Sequence, residues 1–234
     1  MYPPPSPLPP LQPWQIFLRD FARGFDQGEH VVLCAQNGWG KTFLADSLVE
    51  QLGTMGLWSV YLWTKPRDKE IEKFLKRLHY KIFTKPPFDF TRPPGKFAIK
   101  AEAKSLASLR ISQETLYREA LDVVWNTGKL ALILDELRYL DKILGLGNPI
   151  SVLFLQARSS KVSLIAGTQR PRWIPVEALT EAKHFFIGHL GDLQDRKRLA
   201  EVLPRRVIDA SLKLQPHEFI YANISGVITR VKAG

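Results

Sequence analysis

The stretch Ala35-Gln-Asn-Gly-Trp-Gly-Lys-Thr42 sets a lysine and a hydroxyl directly after two closely spaced glycines. That is the chemistry of phosphate recognition. Gly38 and Gly40 allow the backbone amides to curl inward, because glycine reaches positive φ without strain. Lys41 is spaced to reach the β- and γ-phosphates of a nucleotide, and the Thr42 hydroxyl to ligate Mg²⁺. The binding set read from the motif is Ala35, Gln36, Asn37, Gly38, Trp39, Gly40, Lys41, Thr42 and Phe43. The pattern G-x-x-x-x-G-K-[ST] is met except at its first position, where Ala35 is tolerable provided its φ stays negative. A second pair, Asp135-Glu136, ends the apolar run LALIL. Asp135 suits a magnesium ion held through water, and Glu136 suits a general base that polarises an attacking water. An acidic pair there can also cap the following helix. Its company with the glycine loop is what makes it chemical.

Such groups need strands to carry them and helices to follow. VVLCA (31–35) reads as a buried strand running into the glycine loop, and 41–52 as the helix after it, closed by Gly53. LWSVYLW (57–63) is a second strand. Residues 67–80 have helical spacing at Ile71, Phe74, Leu75 and Leu78. The proline-interrupted TKPPFDFTRPPGKFAIK (84–100) reads as a loop or insertion, and 112–126 as a helix with Ser112 as N-cap, ended by Gly128. LALIL (130–134) is a third strand, apolar on both faces. A helix over 148–158 leads to the strand VSLIAG (162–167). HFFIG (184–188) is a fifth strand, helices follow around 191–202 and 204–213, and EFIYANISGVITRV makes two short strands about Ser225-Gly226. This alternation predicts an α/β fold, a mostly parallel sheet flanked by helices, with a small C-terminal strand pair.

Residues 3–13 hold seven prolines and read as an extended tail or a surface strap. A short amphipathic helix, 14–28 with its break at Gly28, precedes the unit of 29–234 that carries the glycine loop. Trp14, Phe17, Leu18, Phe21 and Phe25 share one face of it. The longest apolar runs are too short for a membrane span. The start lacks the basic and apolar regions of a signal peptide, so a cytoplasmic protein (host cytoplasm, or virion-associated in a viral setting) is expected. Cys34 is the only cysteine and the five histidines show no tight ligand spacing, so no structural metal is expected. The net charge of +10 is uneven: 65–110 carries thirteen Lys/Arg against five Asp/Glu. That basic insertion suits a polyanion, and equally a solvated helix face.

The stretch IAGTQRPRWIP (165–175), a strand ending in Thr-Gln-Arg-Pro, together with the glycine loop and LALILDE, resembles the FtsK/HerA class of P-loop motor ATPases. The resemblance spans roughly 29–232. It implies a RecA/ASCE-like P-loop NTPase domain, Mg²⁺ and ATP as cofactors, and a homo-oligomer, commonly a hexameric ring, through which duplex DNA passes. It also implies roles for two residues: Gln169 as polar sensor of the γ-phosphate, and Arg158, eleven residues upstream in QARSSKVSLIAGTQ, as an arginine reaching into the neighbouring subunit's site. The chain departs from that pattern at Ala35, and in the segment after the second strand, which matches no motif of the class.

Candidate DNA contacts are Lys65, Lys69, Lys73, Lys76 and Arg77, spaced three or four apart along one helix side, though Glu70 and Glu72 interrupt them and favour a salt-bridged solvent face for each lysine taken singly. A second candidate is the interleaving of Lys85, Arg92, Lys96 and Lys100 with Phe88, Phe90 and Phe97, which is also how a loop is pinned by its aromatics. Trp58, Trp63 and Trp125 fall at core positions. Trp39, between the loop glycines, faces either the nucleotide or a neighbouring subunit. The expected function is a Mg-ATP-dependent ring motor that moves DNA in genome packaging or DNA transfer. The alternative is a nucleotide-gated assembly or adaptor ATPase. In either, the Pro-rich tail is the element to dock a portal, capsid or channel partner.

Overall fold

Five apolar runs form the middle of one sheet because none has a polar face to turn to water. They are β2 (His30–Cys34), β3 (Trp58–Leu62), β6 (Leu130–Leu134), β7 (Ser163–Thr168) and β8 (Ala182–Ile187). The computed structural model describes residues 7–93 and 95–233. Among these the sheet has ten strands. The remaining five are β1 (Leu11–Gln12), β4 (Lys81–Phe83), β5 (Lys96–Ile99), β9 (Glu218–Asn223) and β10 (Ile228–Lys232). Their order is β1-β10-β9-β8-β2-β7-β6-β3-β5-β4. From β8 to β4 every pairing is parallel; β9 is antiparallel to both β8 and β10.

The helices are α1 (Trp14–Gly24), α2 (Lys41–Thr54), α3 (Lys69–Arg77), α4 (Leu106–Thr127), α5 (Gly147–Gln156), α6 (Val176–Thr180), α7 (Leu193–Leu199) and α8 (Arg205–Ser211). Strand alternation sorts the core into two layers. Val31, Leu33 and Ile133 pack with α1 and α2 residues such as Phe17, Phe21, Leu44 and Leu48. Val32, Cys34 and Leu132 face the other way, onto Tyr117, Leu121, Ile150 and Phe154. In α1, Phe17 and Phe21 pack edge-on against Phe186 and Tyr221. Burying each such ring is worth roughly 1.5–3 kcal/mol, so α1 is bound to the domain rather than trailing from it.

Several expectations change. Residues 96–99 are not loop: β5 pairs with β3, and Phe88, Phe90 and Phe97 are buried, so the aromatics pin the segment and offer no stacking surface. Helix α4 starts seven residues early, capped by Ser105, whose side chain and that of Ser108 each satisfy the other's backbone amide. Such a reciprocal cap outcompetes Ser112, which lies inside the helix. Gly53 is helical, and the turn after α2 uses Gly56 at φ +83°. Trp63 is fully buried, but Trp125 is 36% exposed and does not belong to the core. Helix α5 stops at Gln156, which puts Arg158 in the turn before β7. The part of the Pro-rich segment that is described is a strap: Leu11 and Gln12 pair with Arg230 and Val231 on the sheet edge. Residues 1–6 lie outside the described residues.

Candidate nucleotide site

The loop 35–40 leaves the central strand β2 and enters α2. Ala35 is fully buried, and its amide donates to the Thr168 carbonyl (3.2 Å). It is not among the residues with positive φ, so alanine carries no strain there. Its methyl has room because Gly188 stands opposite. A Cβ on Gly188 would lie 2.6 Å from the Ala35 Cβ and 2.6 Å from the Trp39 ring. Gly38 (φ +73°) and Gly40 (φ +91°) make the left-handed turns the motif predicts. The first helical bond runs from the Leu44 amide to the Gly40 carbonyl, and the amides of Asn37 through Phe43 donate to no acceptor among the described residues. A run of unfilled amides at a helix N-terminus is an anion cradle.

Lys41 is buried and donates from Nζ to the Ala35 and Gln36 carbonyls (2.8 and 2.9 Å), which holds its ammonium across the loop. Burial lowers its pKa, opposed by the nearby Glu136 and Asp135 charges. Thr42 Oγ1 donates to Asp135 Oδ1 (3.2 Å). Gln169 Nε2 donates to Glu136 Oε2 (2.9 Å). Sheet order explains the meeting: β7 lies between β2 and β6, so strands distant in sequence end side by side. Gly167 is required by it, since a Cβ there would fall 2.5 Å from the Asp135 carbonyl. Burial pushes the Glu136 carboxyl above its ordinary range, while the Gln169 bond and Lys41 pull it back. Arg170 braces the segment after Gln169 through Asp195 (2.9 Å) and Asp192 (3.0 Å).

The cavity these groups enclose is about 280 Å³ and is also lined by Asn37, Lys65, Asp68 and His217. Three of these, Lys65, Asp68 and His217, lay outside the predicted nucleotide site. His217 sits in the turn before β9 at φ 67°, with its ring against Gly40; no local pattern announces it. Lys65, read as a DNA contact, instead turns inward to Asp135 Oδ2 (3.3 Å). Trp39 is half-buried and does not line the cavity. Its ring stacks on His189 (5.3 Å) and its Nε1 donates to the Glu218 carbonyl, pinning the loop to the chain's own β9. Gln36 is exposed and is tied by its amide to His189, and Phe43 is exposed on the first turn of α2; neither lines the cavity.

Of the basic row, Lys73 pairs with Glu70, Lys76 with Glu72, and Arg77 with Glu50. Lys69 forms no ion pair among the described residues. Arg158 is exposed at the N-terminal end of β7, whereas the cavity lies at the strands' C-terminal ends. It cannot serve its own chain's site.

No protein-family model matches the chain, and no curated protein does. Solved structures do. The DNA-packaging ATPase B204 from Sulfolobus Turreted Icosahedral Virus aligns with a TM-score of 0.62 at 15% identity, over 88% of this chain and 98% of that one. The genome packaging NTPase B204 from Sulfolobus turreted icosahedral virus 2, in complex with AMPPCP, aligns at 0.65 and 13% identity, over 88% and 97%. The pCW3 conjugation coupling protein TcpA with ATPgS aligns at 0.58 and 15% identity, over 92% of this chain and 61% of that one. The fold is that of the P-loop ATPases. Within this P-loop fold the residues fit a magnesium nucleotide. Unfilled amides and Lys41 face an anion, and two oxygen donors, from Thr42 and Asp135, sit together for a hard cation. Among the described residues no helix is long and apolar enough to cross a membrane.

Proposed function

We propose that the chain is an oligomeric Mg-ATP-dependent motor ATPase that moves DNA, in genome packaging or DNA transfer. The observation that carries it is the convergence on one rim of Lys41, Thr42, Asp135, Glu136 and Gln169, five side chains from three neighbouring strand ends. Loop amides and Lys41 hold the β- and γ-phosphates, and Thr42 with Asp135 holds magnesium, which supplies charge neutralisation at the phosphates. Glu136 accepts a proton from the attacking water, and Gln169 fixes which Glu136 oxygen faces it. Arg158, on the opposite rim, acts only on a neighbour's nucleotide, which supports a ring. The neighbours' work on DNA packaging and conjugation supports the substrate.

A nucleotide-gated assembly ATPase is the second reading, favoured by one observation: four of the five basic-row residues are spent on intrachain pairs, Lys65 with the buried Asp135 and the other three on the surface. Exposed pairs are weak, about 0–1 kcal/mol, so phosphates can compete for them. The deciding measurement is steady-state ATP turnover with and without duplex DNA, on wild type and Lys41→Ala. Turnover that rises with DNA and vanishes in the variant is expected. ATP binding with slow turnover indifferent to DNA would move the assignment to the assembly protein.

A further inference from the structure

Asp135 is a buried carboxylate whose two oxygens have different partners. Thr42 Oγ1 donates to Oδ1, and Lys65 Nζ sits 3.3 Å from Oδ2. A buried charge without a counter-charge is costly, and among the described residues Lys65 is the only one ion-paired to it. The two side chains differ in freedom: that of Asp135 is 3% exposed, that of Lys65 46%. The Lys65 main chain is fixed, since its carbonyl accepts from Trp63 Nε1 (2.7 Å) and from the Asp68 amide (2.9 Å). Only the lysine arm is free to swing.

It has somewhere to go. Lys65 lines the nucleotide cavity and also a second, adjoining cleft of about 700 Å³, shaped by the segments after β3 and β5. That cleft presents Arg67, Lys100 and Lys104. Its carboxylates are Glu102 and Asp68, and Asp68 is committed to capping α3 through the Glu70 and Ile71 amides. Lys100 is held in place over the Trp63 ring (4.5 Å). The cleft is therefore net positive before Lys65 joins it.

We propose that Lys65 is the counter-cation of Asp135 in the metal-free site, and that loading of Mg²⁺-nucleotide drives it into this cleft, adding one positive charge to a surface that holds DNA backbone phosphate. The inference rests on the Mg-ATP reading of the site. A divalent ion held by Thr42 and Asp135 would adjoin the Lys65 ammonium, and like charges at that separation repel. Lys65 alone has both solvent and rotamers to leave through. The coupling is reciprocal: a duplex in the cleft draws Lys65 from Asp135 and raises the affinity for Mg²⁺-nucleotide by the same factor.

The test is duplex affinity across a salt series, with and without Mg²⁺-AMPPCP, for wild type, Lys65→Met and Lys65→Arg. In wild type the nucleotide should raise affinity about fivefold or more. It should also steepen the slope of log K against log salt by about 0.9, the signature of one added phosphate contact. Lys65→Met should lose both effects, while Lys65→Arg keeps them. Lys104→Met, which leaves the Asp135 pair untouched, should weaken duplex binding equally in both nucleotide states and keep the steepening. Equal steepening in wild type and Lys65→Met overturns the switch, as does a wild type that binds the analogue with no change of slope. Duplex affinity unmoved by Lys104→Met removes the cleft from DNA binding. A wild type that binds no nucleotide defeats the functional reading and this inference together.

Discussion

At the scale of single residues, Glu136 and Asp46 show what burial does to a carboxyl. Glu136 keeps a donor, Gln169, and a nearby cation, Lys41, which suits a base that must ionise to work. Glu136→Gln should leave nucleotide-analogue binding intact and lower turnover by about 10²–10⁴-fold. Unchanged hydrolysis would remove Glu136 from the reaction. Asp46, one turn beyond Thr42 on α2, has weaker help: the Arg77 charge favours its ionised form, but Arg77 is itself paired with Glu50. Its Oδ1 is buried without a hydrogen-bond partner, and burial together with the Asp135 charge pushes its pKa from 3.8 up to about 8. Below pH 3.8 the native and unfolded states both hold the proton; between 3.8 and about 8 only the unfolded chain gives it up. Folded-state stability should therefore fall as pH rises through that window and level off above it. Asp46→Asn should flatten that decline, as read from urea midpoints against pH. A midpoint profile identical to wild type would contradict it.

At the scale of elements, the junction of β2 and α2 is the part the rest of the domain is built to hold. Trp39 ties the loop to β9, Ala35 hangs from Thr168, and Gly188 leaves the space both need. Gly40 is the conformational key, with φ +91° and a virtual Cβ 2.8 Å from His217 Nδ1. The imidazole can move, but the left-handed backbone cannot be relieved. Gly40→Ala should cost about 1–2 kcal/mol in chemical denaturation and weaken nucleotide binding further, because an altered turn re-aims the amides after it. Wild-type affinity in a stable Gly40→Ala protein would show that the loop's geometry is not what binds phosphate.

At the scale of the whole molecule, the sheet separates Lys41 and Glu136 at one end from Arg158 at the other. If Arg158 acts in trans, each site is composite. Arg158→Ala and Glu136→Gln should each be inactive as pure proteins yet recover part of the turnover when mixed, since mixed assemblies contain interfaces with an intact Glu136 facing an intact Arg158. A mixture no more active than its components would place Arg158 outside catalysis. The strap and α1 cover the outer edge and one face of this body.

Local spacing was enough to place the turns of the loop, the acidic pair at its strand end and the central strands, because those features depend on neighbours in the chain, whereas Gln169 was singled out only by its resemblance to a family motif. Glycine pairs, unbroken apolar runs and a hydroxyl after lysine mean the same thing wherever they fold. The early start of α4 and the strand character of 96–99 were less legible. A reciprocal serine cap and a docking sheet edge outweighed the proline and serine signals nearby. Other facts belonged to the tertiary structure alone. Lys65 turns to Asp135, seventy residues away in the chain, His217 closes on Gly40, and Gly188 makes room for Ala35. Each joins residues that only the sheet order brings together, and a buried carboxylate or a missing Cβ acts through space, leaving no period in the sequence to read.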